Sequence, residues 1–196
     1  MISDQGVAAV VSLSGAAFIL FAQLARRRAI ASRGQSLRTS SGLAQVVPYF
    51  FPVPYVVVVF GLGPQAVVAD GLRALGVALS VVGVAVSIWS IVTLGRHYDL
   101  VLEIHRGHEL VRRGPFGYVR HPVYTGLGLH FLGASLATGN LLLLGGTLFV
   151  TIPAFVARAR AEERLLRERF GAEYERYSLA VPMLLPRLGG RSGRSR

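Results

Sequence analysis

Hydrophobic and polar positions along this chain fall into blocks rather than alternating. Residues 6–25, 43–63 and 74–95 contain no Asp, Glu, Lys or Arg. Each block is close to the ~20 residues an α-helix needs to cross ~30 Å of hydrocarbon. A helix on the core of a soluble protein would instead show a charged face every few residues. The pattern predicts spanning helices over 7–25, 43–62 and 72–94. The second contains Pro48, Pro52 and Pro54, so it kinks or starts late, which a membrane bundle tolerates when neighbours satisfy the freed carbonyls. In the third, Gly76, Ser80, Gly83 and Ser87 recur at spacings of four, three and four. That gathers small residues on one helical face and lets another helix come close.

Beyond residue 95 the blocks change character. A loop of mixed charge, 95–121, leads into an apolar stretch, 123–157, interrupted by Ala137-Thr138-Gly139-Asn140. Each half is about 17 residues, the low limit for a crossing; the stretch forms either two tilted spans or a hairpin dipping into the bilayer. Residues 158–177 are charged, with Leu166, Phe170, Tyr174 and Tyr177 on one helical stripe and Glu163–Arg167 as an i,i+4 ion pair. Residues 178–186 are short, apolar and carry two prolines, suited to the headgroup layer. The expected organisation is an N-terminal transmembrane unit, 1–95, a catalytic region, 96–188, and a disordered basic tail, 189–196. The expected fold is all-α: an integral membrane helical bundle of about five transmembrane helices with a cytoplasmic C-terminal helix.

Composition supports the membrane reading. Of 196 residues 52% are hydrophobic and 16% charged, against about 25% charged in soluble proteins. The absence of cysteine excludes disulfides, thiolate metal sites and a cysteine nucleophile, and no zinc-ligand spacing is present. All 21 basic residues are arginine, and the net charge is +11. Such a charge can serve nucleic acid, but its distribution follows the spans. Five arginines follow the first span, five the third and ten the last apolar stretch, while Arg73 alone lies between the second and third. This is the positive-inside pattern, with an outside N-terminus and a cytoplasmic C-terminus. It makes membrane lipids, and no nucleic acid, the expected surroundings. The arginine cluster follows rather than precedes the first apolar run, which predicts a retained span and not a cleaved signal peptide.

Two clusters flank the last apolar stretch on the arginine-rich side. The first runs from Leu110-Val111 through Gly114-Pro115-Phe116-Gly117-Tyr118-Val119-Arg120-His121-Pro122-Val123-Tyr124 to Gly126. The second holds Arg158, Glu162, Glu163, Leu166, Phe170, Gly171, Tyr174 and Tyr177. A returning chain brings the two together at one membrane surface. Pro122 can open a helix at its first position, with His121 and Tyr124 on one side. Arg158 and Glu162 share a face one turn apart. Carboxylate, imidazole, aromatic rings and guanidinium beside lipid suit a small charged cofactor and a greasy substrate. For S-adenosylmethionine, Glu162 could take the ammonium or ribose hydroxyls, rings could stack adenine or face the cationic sulfur, and backbone near Leu110 and Val111 could read the adenine edge. Taken singly, Arg-His-Pro can equally anchor a helix, and paired glutamates can be a solvated face.

The paired motifs, over about 110–186, resemble the isoprenylcysteine carboxyl methyltransferases and the wider phospholipid methyltransferase group. The resemblance implies an integral membrane S-adenosylmethionine-dependent methyltransferase with a lipophilic acceptor that enters from the bilayer, a carboxylate first among the candidates. It implies cofactor contacts at His108, Glu109, Leu110, Val111, Phe116, His121, Pro122, Val123, Tyr124 and Glu162. It also implies that Arg158 faces the acceptor as the catalytic residue; with no cysteine and no zinc-ligand spacing, no metal site is expected. Family members usually carry tyrosine where this chain has Phe116, so stacking survives there and a hydroxyl contact does not. Membrane sterol and steroid reductases share a similar Arg-His-Pro-x-Tyr segment, so an NADPH-dependent reductase is the alternative enzyme. A non-catalytic membrane scaffold is the alternative from another class.

Overall fold

The computed structural model of the chain describes residues 3–32, 36–39, 53–99, 103–105 and 109–187. His108, Pro48, Pro52 and the basic tail 189–196 lie outside the described residues. Helix α1 spans Asp4–Ala31, capped by Ser3, whose hydroxyl accepts from the Gly6 amide as helix-start serines do. It runs past the expected end at residue 25, so Arg26, Arg27 and Arg28 sit on a helix and not in a loop. Helix α2 covers Val53–Val59 and α3 covers Asp70–Leu94. Helix α4, Pro122–Thr138, is followed by α5, Leu141–Gly146, a π-turn at Thr147–Thr151, and α6, Ile152–Phe170. Helix α7 covers Ala172–Ala180. Asp4–Ala31, Asp70–His97 and the continuous Leu141–Phe170 are long and apolar enough to cross a membrane. The helical expectation needs one addition: strand β1, Ser36–Thr39, pairs antiparallel with β2, Glu103–His105.

Polar contacts fix the direction of each helix. Asp4 pairs with Arg73 near the starts of α1 and α3. Arg26, near the end of α1, pairs with Asp99, just past the end of α3, at 2.9 Å. The two helices are therefore parallel. The turn before α3 meets the turn after α4: Ala66 N donates to Gly139 O at 2.8 Å, Leu141 N to Pro64 O at 3.0 Å, and Asn140 Nδ2 to Leu62 O at 2.9 Å. Helix α4 thus runs antiparallel to α3 along its length, and the chain returns through α5 and α6. The interruption at 137–140 is the turn between them. Gly139 ends α4 at φ +67°, a left-handed conformation that glycine adopts without strain, and the Asn140 side chain accepts from Leu143 N to start α5.

The small-residue face of α3 does pack closely. Gly76, Ser80, Gly83 and Ser87 are all buried. A Cβ on Gly83 would collide with the Gly126 carbonyl of α4, and one on Gly133 would lie 2.6 Å from the Gly76 carbonyl. The Ser87 hydroxyl bonds Val123 O of α4 at 3.1 Å. Buried in this seam, His130 has Ser80 Oγ 2.8 Å from Nδ1 and Tyr55 OH 2.9 Å from Nε2, so its polar atoms are satisfied and α2 is tied to α3 and α4.

The single helix predicted over 158–177 is two helices. Gly171, at φ +49°, breaks it, because a left-handed residue cannot continue an α-helix. Leu166 and Phe170 stay on α6, while Tyr174 and Tyr177 are carried on α7 and buried there.

Candidate active site

At the end of the bundle opposite the Asp4–Arg73 pair, one connected set of polar side chains joins α4 to α6. Pro115 follows Gly114 in a 3₁₀ turn over Gly114–Gly117, and Pro122 opens α4 behind His121. This puts the His121 and Tyr124 rings in a stacked pair, centroids 5.8 Å apart, with Tyr124 stacked in turn on Phe155 at 5.6 Å. From α6, Arg158 Nε donates to the Tyr124 hydroxyl at 2.8 Å, and that hydroxyl donates to Glu162 Oε2 at 3.2 Å. Arg158 is only 2% exposed.

The adjacent glutamates do different things, because neighbours on a helix point about 100° apart. Glu163 is buried in an ion cluster: Arg120 lies 2.7 Å from Oε1, His121 Nε2 3.1 Å from the same oxygen, and Arg167 3.2 Å from Oε2. Glu162 keeps 37% of its side chain exposed, with its Oε2 3.6 Å from His121 Nδ1. Burial disfavours the charged imidazole of His121, but Glu162 and Glu163 outweigh it and hold its pKa above the ordinary value.

Glu162 stands between two adjoining cavities. The inner one holds about 60 Å³ and is lined by His121, Pro122, Val123, Tyr124 and Arg158. The outer one holds about 90 Å³ and is lined by Glu109, Leu110 and Val111. Phe116 and Glu162 line both. Every proposed site residue except His108 therefore borders this pair of cavities. A third, apolar groove of about 500 Å³ opens along α4 and α6; Pro122 and Tyr124 line both it and the inner cavity.

Several residues here were not singled out from the sequence. Phe18 of α1, Tyr98 and Asp99 line the inner cavity, while Tyr174 and Tyr177, which belong to the second motif cluster, line the outer. Asp99 also borders both cavities, held by Arg26 of α1 at 2.9 Å. The signal was thin: Arg26 is the first charge after the first apolar block, and Asp99 the first carboxylate after the third. Arg120 is a hub. Besides Glu163 it bonds the carbonyls of Ser178 at 2.8 Å and Val181 at 2.6 Å. The segment after α7, expected to lie on the headgroup layer, is also strapped to the site. The amides of Arg120 and His121 donate to Pro182 O and Met183 O at 2.9 and 3.1 Å, and Thr125 Oγ1 to Leu184 O at 2.7 Å. Exposed backbone acceptors beside unpaired amides at a helix start find each other before they find lipid.

Comparison with known proteins bears on what this arrangement serves. The phospholipid methyltransferase family profile matches residues 72–173, just over half of the chain. The chain belongs to the phospholipid methyltransferase family. The matched region of this family member contains nearly all of α3, all of α4 and α6, the first motif cluster and the second as far as Gly171, and leaves out α1, Tyr174, Tyr177 and the strap. A probable protein-S-isoprenylcysteine O-methyltransferase of Oryza sativa subsp. indica is 32% identical over 113 residues, 57% of this chain and 59% of that one. The protein-S-isoprenylcysteine O-methyltransferase of Saccharomyces cerevisiae is 32% identical over 114 residues, 57% and 48% respectively. Methanethiol S-methyltransferase 1 of Bradyrhizobium diazoefficiens is 41% identical over 71 residues, 36% and 24%. The match thus spans 59% of the length of the rice relative. Among solved structures, the eukaryotic intramembrane Ras methyltransferase ICMT (isoprenylcysteine carboxyl methyltransferase) superposes with a TM-score of 0.57 at 23% identity, over 73% of this chain and 48% of that one. That likeness concerns the fold: this is an integral membrane helical architecture.

Proposed function

We propose that this family member is a membrane S-adenosylmethionine-dependent methyltransferase that modifies a lipophilic acceptor, a carboxylate of the isoprenylcysteine kind. The observation that carries the reading is the bridge Arg158–Tyr124–Glu162, which sets a buried guanidinium and a cavity-facing carboxylate on one hydroxyl. The two cavities bring a carboxylate, an imidazole, aromatic rings and a guanidinium to one place. The donor set also fits the cofactor, since the half-exposed Glu162 offers an acceptor to its ammonium or ribose hydroxyls. Glu109, Leu110 and Val111 would border its polar end and Phe116 its ring, with His121, Pro122, Val123 and Tyr124 closing the far side; His108 joins them as a proposal from the motif alone.

When bound, S-adenosylmethionine supplies an electrophilic methyl group. Arg158 would grip the acceptor carboxylate through its guanidinium fork, held in orientation by Tyr124. A carboxylate is ionised at neutral pH, so no base has to take a proton from it. The enzyme's contribution is alignment and exclusion of water, which can lower a barrier by roughly 7–11 kcal/mol in favourable cases. The apolar groove, which shares Pro122 and Tyr124 with the inner cavity, would admit the acceptor's tail sideways from the bilayer.

The same reading places the N-terminus outside, the C-terminus in the cytoplasm, and five spans between, with 1–95 as scaffold and 96–188 as the catalytic region. The parallel course of α1 and α3 and the full-length return of α4 support it. Reporters inserted near Arg33, Gln65 and Gly107 are expected to read in, out, in. The chemical test is incubation of the purified protein with methyl-labelled S-adenosylmethionine and N-acetyl-S-farnesylcysteine. Label in a base-labile ester supports the proposal. No transfer, together with thermal stabilisation by NADPH and not by S-adenosylmethionine, overturns it in favour of a reductase.

A further inference from the structure

The described glycines buried in this molecule are of two kinds. Gly76, Gly83, Gly126 and Gly133 have backbone of the facing helix where a Cβ would stand, Gly15 has the Tyr55 ring, and Gly139 the Ala66 carbonyl. For these the missing side chain is explained by a close neighbour. Gly128 differs: it is buried within α4, yet a Cβ built on it would meet nothing within 4 Å. Glycine in a helix interior is unfavourable relative to alanine, and no packing contact accounts for it here. Gly128 lines the apolar groove, on the same helix face as Tyr124, Thr125, Leu129 and Leu132.

We infer that Gly128 is a specificity-determining position, keeping the groove open for the long apolar tail of the methyl acceptor. The inference rests on the methyltransferase reading and names the tail's path. The groove shares Pro122 and Tyr124 with the inner cavity as walls, so the tail of an acceptor seated beside Tyr124 would be its occupant. A tail that starts beside Tyr124 reaches Gly128 after four residues of helix, ~6 Å at 1.5 Å per residue. A prenyl group ends near that point; a farnesyl group must pass it. A leucine side chain at 128 would enter the space the longer tail needs, with no contact in the helix seam to disturb.

The experiment compares wild type, Gly128→Ala and Gly128→Leu in nanodiscs, with N-acetylcysteine carrying S-prenyl or S-farnesyl chains as acceptors. Gly128→Ala serves as folding control and is expected to melt at or above wild type, because alanine favours helix. In Gly128→Leu the ratio of kcat/KM for farnesyl over prenyl acceptor is expected to fall on the order of 10- to 200-fold, as when a hydrophobic pocket loses room for a substrate group. An unchanged ratio overturns the inference. So does a change of oligomeric state in the leucine variant, which would assign Gly128 to helix association. A farnesyl photoprobe bearing a diazirine gives a readout independent of turnover. If wild type methylates neither acceptor but its groove is labelled and Gly128→Leu is not, the methyltransferase reading fails and the role of Gly128 stands. Equal labelling of both proteins overturns that role.

Discussion

Helix α4 carries two chemistries a few residues apart. From Gly126 to Ala137 its buried face meets α3 almost backbone to backbone, with glycines at the closest points. In its first turn, by contrast, His121 and Tyr124 hold carboxylates and a guanidinium through side-chain bonds. The seam has no slack, so it fixes where the first turn stands. The first turn has directional bonds, so it fixes what can happen there. In lipid, where burying apolar surface between helices gains little, close packing of small residues supplies the association.

The largest effect should come from the seam. Gly83→Leu drives a side chain into the Gly126 carbonyl, and backbone cannot rotate away as a side chain can. The loss is expected at or above the upper end of the 1–3 kcal/mol typical of overpacking, about 3 kcal/mol or more. It is read as a lower melting temperature and folded yield in detergent. A well-folded, fully stable variant would remove the seam from the comparison.

Next comes Arg158→Lys. A lysine keeps the charge at the membrane edge but cannot grip a carboxylate in two places. We expect kcat/KM to drop by one to two orders of magnitude, on the order of 1.4–2.7 kcal/mol, with cofactor affinity near wild type. Full turnover would reduce Arg158 to a helix anchor.

The glutamate pair then separates function from stability within two residues. Glu162→Gln should weaken cofactor binding by roughly five- to tenfold, about 1–1.4 kcal/mol, measured by titration calorimetry. Glu163→Gln should change that affinity less and lower the melting temperature instead, because Arg120, His121 and Arg167 lose their shared charge. Equal cofactor affinities for wild type and both variants would sink the assignment.

The smallest effect is a pH slope. The folded pKa of His121 is raised, so its protonated form is favoured in the native state. Its contribution to stability is fully present below the unfolded value of ~6.5 and is lost as pH rises through the higher folded value. Thermal stability should decline across that interval in wild type, and His121→Asn should flatten the decline. A slope that survives the substitution points to other groups.

Much of the seam was legible in the sequence, because Gly76, Ser80, Gly83 and Ser87 follow helical spacing and report one face directly. The turn at Gly139-Asn140 was legible for the same local reason. The site was half legible. Motif spacing marks His121, Tyr124, Arg158 and Glu162, since each lies within one turn of another. Nothing local reports that Arg26 of α1 reaches Asp99, 73 residues away, because long-range ion pairs leave no period in the sequence. The break at Gly171 was hidden because Leu166, Phe170, Tyr174 and Tyr177 keep helical spacing across it. The strap's bonds to the site were not legible because an apolar segment with two prolines suits the headgroup layer as well as a site wall.

That strap bears on how the molecule is made. Arg120 waits for the Val181 carbonyl, 61 residues further along, and the amides of Arg120 and His121 take Pro182 O and Met183 O as acceptors. During synthesis α3 and α4 can zip together as soon as both have entered the bilayer. The reactive end stays unfinished until the stretch after α7 has left the ribosome and docked. A nascent chain therefore holds its membrane bundle before it holds a closed site, and assembly of the scaffold precedes competence for chemistry.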